Sequence, residues 1–572
     1  MQRVKCQPQC YARTVMRDSL IAMPVVILIG LALVSVGPAS VLAQTGDPSA
    51  SNAGESAIPS AAELESQGAI IGKIFFDKKN VFDTTQPGEN KSLFRLANRL
   101  HIVTRDSVIE QQLLFRPGDK YSKRLLEESE RLLRRNSYLF DVKITPVRFE
   151  NGVVDVNVWT RDLWTLMPGF SVSRSGGENR SRVSISERNL VGTGVTLKLS
   201  YTDNVDRNST SFEYLDRNVG NSWATAFVKV ADNSDGGTTL VSLVRPFYAL
   251  DSRWSAGTVF LDNERIDSFY DLGNRVAEYT AETNSLSLYA GWSAGLSGGW
   301  VRRWTAGVVF DDREFSAVPD GELPALLPDD RRLFYPFISY EKLEDQFETT
   351  SNRDMIGRTE DFFMGTRLSA RLGWADEGFG SDRDALLYTF SASRGFGAIK
   401  KKALILSSVL SGRIDDGDSA NTQLGIGARY YNQITDKRLF ITTIEGSIGD
   451  NLDLDNLVEL GGDSGLRGYP LRYQTGDSKF LITAEQRYFT DWYPFKLFRV
   501  GGAIFADAGR TWGSNPVGEP SLGWLKDVGI GLRLGPTRAS GRDIIHIDVA
   551  FPLDGDSSID SVQFLIQSKR SF

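Results

Sequence analysis

Residues 461–470 read GGDSGLRGYP. They interrupt a chain that elsewhere alternates apolar and polar residues for hundreds of positions. Two chemistries compete for this loop. The fragment GDSG could present Ser464 as a nucleophile. The fragment LRGY places one planar cation, Arg467, among glycines that let the backbone double back tightly. The first reading makes a soluble β protein; the second makes a loop that returns into a space lined with carboxylates.

The nucleophile reading needs a base and an orienting acid. The chain has only two histidines, His101 and His546. His101 belongs to a helical region far upstream, and His546 lies in DIIHIDVAF, where strand alternation sets it with Asp548. Neither has a claim on Ser464. The second glycine that follows GDSG in chymotrypsin-like proteases is replaced by Leu466. The spaced carboxylates of DNLDLDN (450–456) lack the glycine and distal glutamate of a calcium loop and read as a solvated turn. No catalytic constellation, metal site or cofactor is expected, so the chain is read as not being an enzyme.

The arginine reading finds its partners downstream. In FLITAEQRYF, Glu485 and Arg487 share one strand face, opposite Ile482 and Ala484. In VGGAIFADAG, Phe505 and Asp507 share a face, opposite Ile504 and Ala506. If these strands cross lipid, their charges must face inward, because a charge at mid-membrane costs about 2–4 kcal/mol. Glu485 and Asp507 would then point into one pore, and a guanidinium arriving on a loop could bond both.

The rest of the chain supports strands in lipid. From about 162 onward helical periodicity gives way to period two, as in VTLKLSY, where Val195, Leu197, Leu199 and Tyr201 oppose Thr196, Lys198 and Ser200. Polar Gly/Asn/Asp-rich loops separate such stretches. WYPFKLF (492–498) reads as part of an interfacial aromatic girdle. Allowing roughly 25 residues per strand and loop, residues 162–572 suit a transmembrane β-barrel of about 16 strands. After the N-terminal region, no apolar run approaches a spanning helix.

Residues 68–161 differ. IIGKIFF is a strand, LFRLANRL and SVIEQQLLF are helical, and SKRLLEESERLLRR places Leu125, Leu126, Ser129, Leu132 and Leu133 on one helix face. DVKITPVRF and VVDVNVW follow as strands, giving a small α+β unit of order β-α-α-β-β. Residues 1–43 carry Arg13 and Arg17, an apolar run and Val-Leu-Ala at 41–43, a signal peptide cleaved after Ala43, with either Met1 or Met16 as the start. Residues 44–67 read as a flexible linker. Both cysteines, Cys6 and Cys10, precede the apolar run, so the exported chain has no disulfide. The net charge is −7, and the four basic and one acidic residues before position 44 leave the remainder more acidic still. That excludes nucleic acid as a partner.

These motifs resemble the BamA/TamA-type outer-membrane assembly and translocation superfamily, also called the bacterial surface antigen family. GLRGYP followed by FADAG is similar to its paired (V/L)RG(F/Y) and FxDxG signatures. ERNLVGTG (187–194) is similar to its NLxGxG at the start of the barrel, and VGIGLRLGP (528–536) to its GxGxRxxxP near the end. The α+β unit resembles a single POTRA domain. The resemblance implies a pore-loop tip of Arg467, Gly468 and Tyr469, with Glu485 and Asp507 as its lumenal anchors. It also implies barrel-motif roles for Phe505, Gly509, Asn189, Gly192 and Gly194. The terminal Phe572 resembles an outer-membrane sorting signal, although Arg570 departs from its usual pattern. The implied function is insertion or translocation of polypeptides, or of lipids, at the bacterial outer membrane, with the N-terminal domain in the periplasm. The implied partners are unfolded outer-membrane or secreted polypeptides and outer-membrane lipids; accessory periplasmic or lipoprotein partners stay open. A passive pore or structural surface antigen is the alternative.

Overall fold

The computed structural model describes residues 58–318, 327–516, 518, 522–540, 543–556 and 559–569. The signal peptide, the choice of start and the terminal Phe572 lie outside these residues. At the end of the expected linker the structure differs from the sequence reading: Ala61–Ser66 forms a helix (α1). Ser60 caps it, accepting from Glu63 N while the Glu63 carboxylate accepts from Ser60 N, and Leu64 is fully buried.

The small domain holds α2 (Ser92–Leu100), α3 (Asp106–Glu110) and α4 (Lys123–Arg134) against three strands. These are β1 (Ile70–Lys79), β2 (Leu139–Glu150) and β3 (Val153–Asp162). The sheet order is β1-β3-β2, with β3 parallel to β1 and antiparallel to β2. Alternation along β3 buries Val154, Val156 and Val158 completely. They pack on Ile71, Ile109, Leu126 and Leu133 in one core. Each fully buried aliphatic side chain contributes about 1.5–3 kcal/mol.

From Leu166 to Lys569, twenty strands close into an antiparallel barrel. The expectation of about 16 was too low because the allowance per loop was too generous. Many connections are minimal, such as Gly176-Gly177, Leu272-Gly273, Gly298-Gly299 and Asp416-Gly417. Glycine at positive φ permits these turns. Outward positions are apolar and exposed, for example Leu199, Phe212, Ile426 and Ile504, whereas the alternate positions, such as Ser200, Ser211 and Phe505, face inward and are less exposed. A row of aromatics crosses four neighbouring strands near the rim that carries the small domain. Trp254 pairs with Trp292, Trp292 with Trp304, and Trp304 with Tyr340. Aromatic side chains in such a row mark a membrane interface. Trp492 and Phe495, in a turn at the same rim, are also largely exposed.

The barrel closes where its last strand (Gln563–Lys569) meets its first (Leu166–Ser175). Among the described residues that seam has one residue pair, Ile566 with Arg174. The neighbouring pair of the last strand has seven residue pairs, Ile544–Ala550 against Gln563–Lys569. Closure is thus weakest at the seam.

Candidate pore loop and lumenal network

The loop between the strands Arg438–Asp450 and Ser478–Phe489 leaves the far rim and turns back into the barrel. Ser464 belongs to its turn: its Oγ accepts from Gly461 N at 2.7 Å. Arg467 is buried. Its Nε and Nη2 donate to the two Asp507 oxygens at 2.7 and 2.8 Å, a bidentate pair, and Nη1 donates to Glu485 Oε2 at 3.1 Å. The guanidinium carbon sits 3.3 Å from the Phe505 ring centre. Strand parity explains the arrangement, because Glu485, Phe505 and Asp507 all occupy inward positions on adjacent strands.

Gly468 N donates to Asp527 Oδ2 at 3.0 Å. A Cβ at this glycine would lie 2.7 Å from the Asp527 Cβ and 3.2 Å from the Pro552 Cα, so the contact admits only glycine. The Tyr469 hydroxyl donates to the carbonyl of Lys526 (2.8 Å), with that of Asp554 also in reach (3.1 Å), and the ring is buried with Leu460, Leu466, Tyr473 and Leu481. Leu460 from the loop base also packs against Gly509, where a Cβ would approach it to 3.0 Å.

Sequence reasoning missed several members of this network. Glu485 also accepts from Arg487 Nε (2.9 Å) and Arg533 Nη2 (3.0 Å), and Arg533 pairs with Asp548. Arg533 was legible, since it is the arginine of VGIGLRLGP. Arg472 has no such signal. It crosses to the opposite wall and pairs bidentately with Asp206 at 2.8 and 3.0 Å. The DNLDLDN segment is no solvated turn. Asp453 takes both Arg413 nitrogens at 2.6 and 2.7 Å, and Asp455 takes Arg331 at 2.6 Å. These pairs fix the start of the same long loop against the lumenal wall.

The loop also touches both sides of the seam. Ser175 Oγ on the first strand donates to Gly462 O at 2.7 Å and accepts from Gln567 on the last strand at 2.9 Å. The Tyr473 hydroxyl donates to Asp556, beside the last strand, at 2.6 Å.

A second plug comes from the near rim. The hairpin Phe347–Ser351 with Thr359–Phe363 lies between two barrel strands in sequence but outside the barrel sheet. Its tip enters the lumen. Ile356 and Met364 pack on Ile399, Tyr431, Leu439 and Phe489, and the Tyr431 hydroxyl donates to Asp354 at 2.9 Å. Arg487 Nη1 donates to Arg353 O at 2.7 Å. Arg487 therefore joins the hairpin to Glu485, and Glu485 joins it to Arg467. On its other side the hairpin holds the small domain. Arg134 donates to both Asp361 oxygens at 2.9 and 2.7 Å, and Thr359 donates to Asp141 at 2.9 Å.

ERNLVGTG forms the first near-rim turn. Asn189 Nδ2 donates to Thr104 Oγ1 in the small domain at 2.9 Å, and its Oδ1 accepts from Gly194 N at 2.7 Å. Gly192 and Gly194 take φ of 77° and 79°, and a Cβ on Gly192 would stand 2.8 Å from Val103 O. The motif is a docking turn for the small domain. Thr104 in turn donates to Asp162 Oδ2 from its backbone (2.8 Å) and its hydroxyl (2.9 Å). Burial nevertheless pushes the Asp162 carboxyl up to about 6.

Residues 101–159 match the POTRA family model, described as surface antigen variable number repeat. No curated protein matches the chain. Among solved structures, BamA from Haemophilus ducreyi lacking POTRA domains 1–3 is 12% identical, with 87% of this chain and 84% of that chain covered and a TM-score of 0.35. CdiB from Acinetobacter baumannii is 13% identical, with 87% and 74% covered and a TM-score of 0.43. CdiB from Escherichia coli is also 13% identical, with 87% and 76% covered and a TM-score of 0.43.

Proposed function

We infer that this POTRA-bearing barrel is a member of the BamA/TamA-type superfamily of the bacterial outer membrane, and from that premise we propose that it inserts or translocates polypeptides there. The near rim, with its POTRA domain, faces the periplasm. Arg467, Gly468 and Tyr469 are the pore-loop tip, anchored by Glu485 and Asp507. An extended client adds to an edge strand of the POTRA sheet by backbone hydrogen bonding. It then passes to the lumen or to the seam, where, among the described residues, one residue pair joins first and last strands.

The observation that carries this reading is one chain of contacts from the POTRA domain to the pore-loop tip: Arg134 to Asp361, Arg353 to Arg487, Arg487 to Glu485, Glu485 to Arg467. A passive pore has no use for a lumen occupied from both rims and tied to a periplasmic domain. No step needs covalent chemistry. Lipid as cargo is compatible with the same barrel, but no described contact favours it.

The test is quantitative proteomics of outer-membrane, periplasmic and culture-medium fractions, with and without this protein. Loss of several barrels from the membrane supports insertion. Disappearance of one secreted protein with the membrane unchanged supports a dedicated translocator. Unchanged fractions would contradict the proposal and favour the passive pore or surface antigen.

A further inference from the structure

At the near rim, α4, the plug hairpin and the barrel wall enclose a cavity of about 390 Å³. Four guanidinium groups line it: Arg131 and Arg135 from α4, and Arg303 and Arg367 from the wall. Phe247, Tyr248, Phe347 and Phe363 supply aromatic surface. The charge is only partly balanced from within. Arg303 and Arg367 share one carboxylate, Glu341, at 2.8 and 2.7 Å. Glu128, also in the lining, accepts from Arg124 (2.9 Å) and Leu250 N (2.8 Å) and offsets part of the Arg131 charge without a direct ion pair. Among the described residues, Arg131 and Arg135 have no carboxylate within salt-bridge distance; Arg131 instead lies 4.2 Å from the Phe347 ring centre. Buried Arg303 Nε has no hydrogen-bond partner among the described residues.

Empty, the site leaves like charges facing one another: Arg131 and Arg135 are i,i+4 neighbours on one helix, a mildly destabilising spacing. Arg135 keeps solvent exposure. Desolvation and then Arg131 lower its pKa, and the carboxylates of Asp361 and Glu128 offset this in part. An anion entering the cavity would relieve this repulsion, and an aromatic or aliphatic group beside it would cover the rings. Arginine stacked on an aromatic face, with its fork free, is suited to a carboxylate.

We propose that this cavity captures an acidic segment of an unfolded polypeptide, taking a carboxylate side chain between Arg131 and Arg135 and its aromatic or aliphatic neighbour against Phe347 and Phe363. The proposal rests on the polypeptide-client reading above and names the kind of segment that enters first. Peptide rather than lipid is favoured by position. Arg303, Leu343 and Arg367 face into the barrel mouth, on the opposite side of the wall from Trp304 and Leu368, so a lipid would have to leave the bilayer to reach them.

The test uses the full chain in lipid nanodiscs and a fluorescein-labelled octapeptide, Gly-Ser-Asp-Phe-Asp-Leu-Ser-Gly, beside a twin with Asn for each Asp. The acidic peptide is expected to bind at least about tenfold tighter than its twin at low salt, with the preference shrinking as salt rises. Arg131→Gln with Arg135→Gln should abolish that preference, while Arg131→Lys with Arg135→Lys should retain most of it. The lysine pair separates loss of charge from loss of fold. Equal binding of the twins, or unchanged binding by the folded glutamine pair, overturns the proposal. So does displacement of the peptide by dodecyl phosphate together with no displacement by excess unlabelled acidic peptide, which would make the cavity a lipid site. If the peptide result fails while client proteins still vanish from the fractions of cells lacking the protein, only this proposal falls and the transport reading stands.

Discussion

Arg467 concentrates the energetics of the lumen. It is buried, touches two carboxylates and lies on an aromatic face, so its removal leaves Asp507 and part of Glu485 without a counter-charge. Breaking such a pair by deleting one partner costs about 3–5 kcal/mol. Arg467→Ala should therefore lower the temperature at which the folded, fast-migrating form is lost in heat-modifiability gels, and Arg467→Lys should lower it less. Asp162 makes the matching prediction for the POTRA domain. Its folded pKa of about 6 exceeds the ordinary value of 3.8, so the folded state holds the proton more tightly. That contribution is complete below about pH 4 and is lost as pH rises through about 6, by about 1–3 kcal/mol. Lys78 and His101 face the same carboxylate. Burial lowers the His101 pKa, which adds stability as pH rises through the same window, so the readout is the wild type relative to Asp162→Asn. That difference in domain stability should fall from pH 4 to pH 7, and a difference that rises would contradict the assignment. The Arg467 partners were legible in the sequence because strand parity places Glu485 and Asp507 on the inward face. The Arg472–Asp206 pair was not, because its members are 266 residues apart and only closure of the barrel brings them together.

Among the elements, the plug hairpin is the one that contacts both the small domain and the network around Arg467. Asp361→Ala removes the bidentate partner of a buried arginine, though Glu130 still accepts from Arg134 at 3.0 Å. A loss of about 1–3 kcal/mol is expected at this junction, read as faster proteolytic release of the POTRA domain from the intact barrel. Release at the wild-type rate would show that the hairpin does not hold the domain. The seam yields another prediction. Antiparallel partners have Cα separations suited to a disulfide. Ile566→Cys with Arg174→Cys, in an export-processed chain lacking Cys6 and Cys10, can pair only with each other. Oxidation should block client insertion and reduction should restore it, if clients leave by the seam. The hairpin could not be read from the sequence, since FETTS and TEDFF look like any short strand pair; only their exclusion from the barrel sheet marks them. The strand number was misjudged for a related reason. Two-residue turns leave little trace in composition, so four more strands fitted into the same length.

For the whole molecule, the architecture is a wide barrel whose lumen holds two segments of its own chain. Twenty strands enclose a lumen large enough to need filling, and it is filled from both rims. The far-rim loop is tied by Arg467, Arg472 and Tyr469, and the near-rim hairpin by Tyr431 and Arg487. The two plugs meet through Glu485, so loosening one should loosen the other. The class of fold and the POTRA unit were legible because alternation, helix periodicity and the spaced motifs agreed with one another. How the lumen is filled was legible only in part, because Arg472–Asp206 and Arg487–Arg353 join segments 266 and 134 residues apart. The central claim is that the LRGY loop, held by Arg467, keeps the barrel closed. Single-channel conductance in planar bilayers, comparing the wild type with Arg467→Ala, tests it most directly. The account predicts small or absent conductance in the wild type and large, fluctuating openings in the variant. Wild-type channels that are already open and indistinguishable from the variant would contradict it.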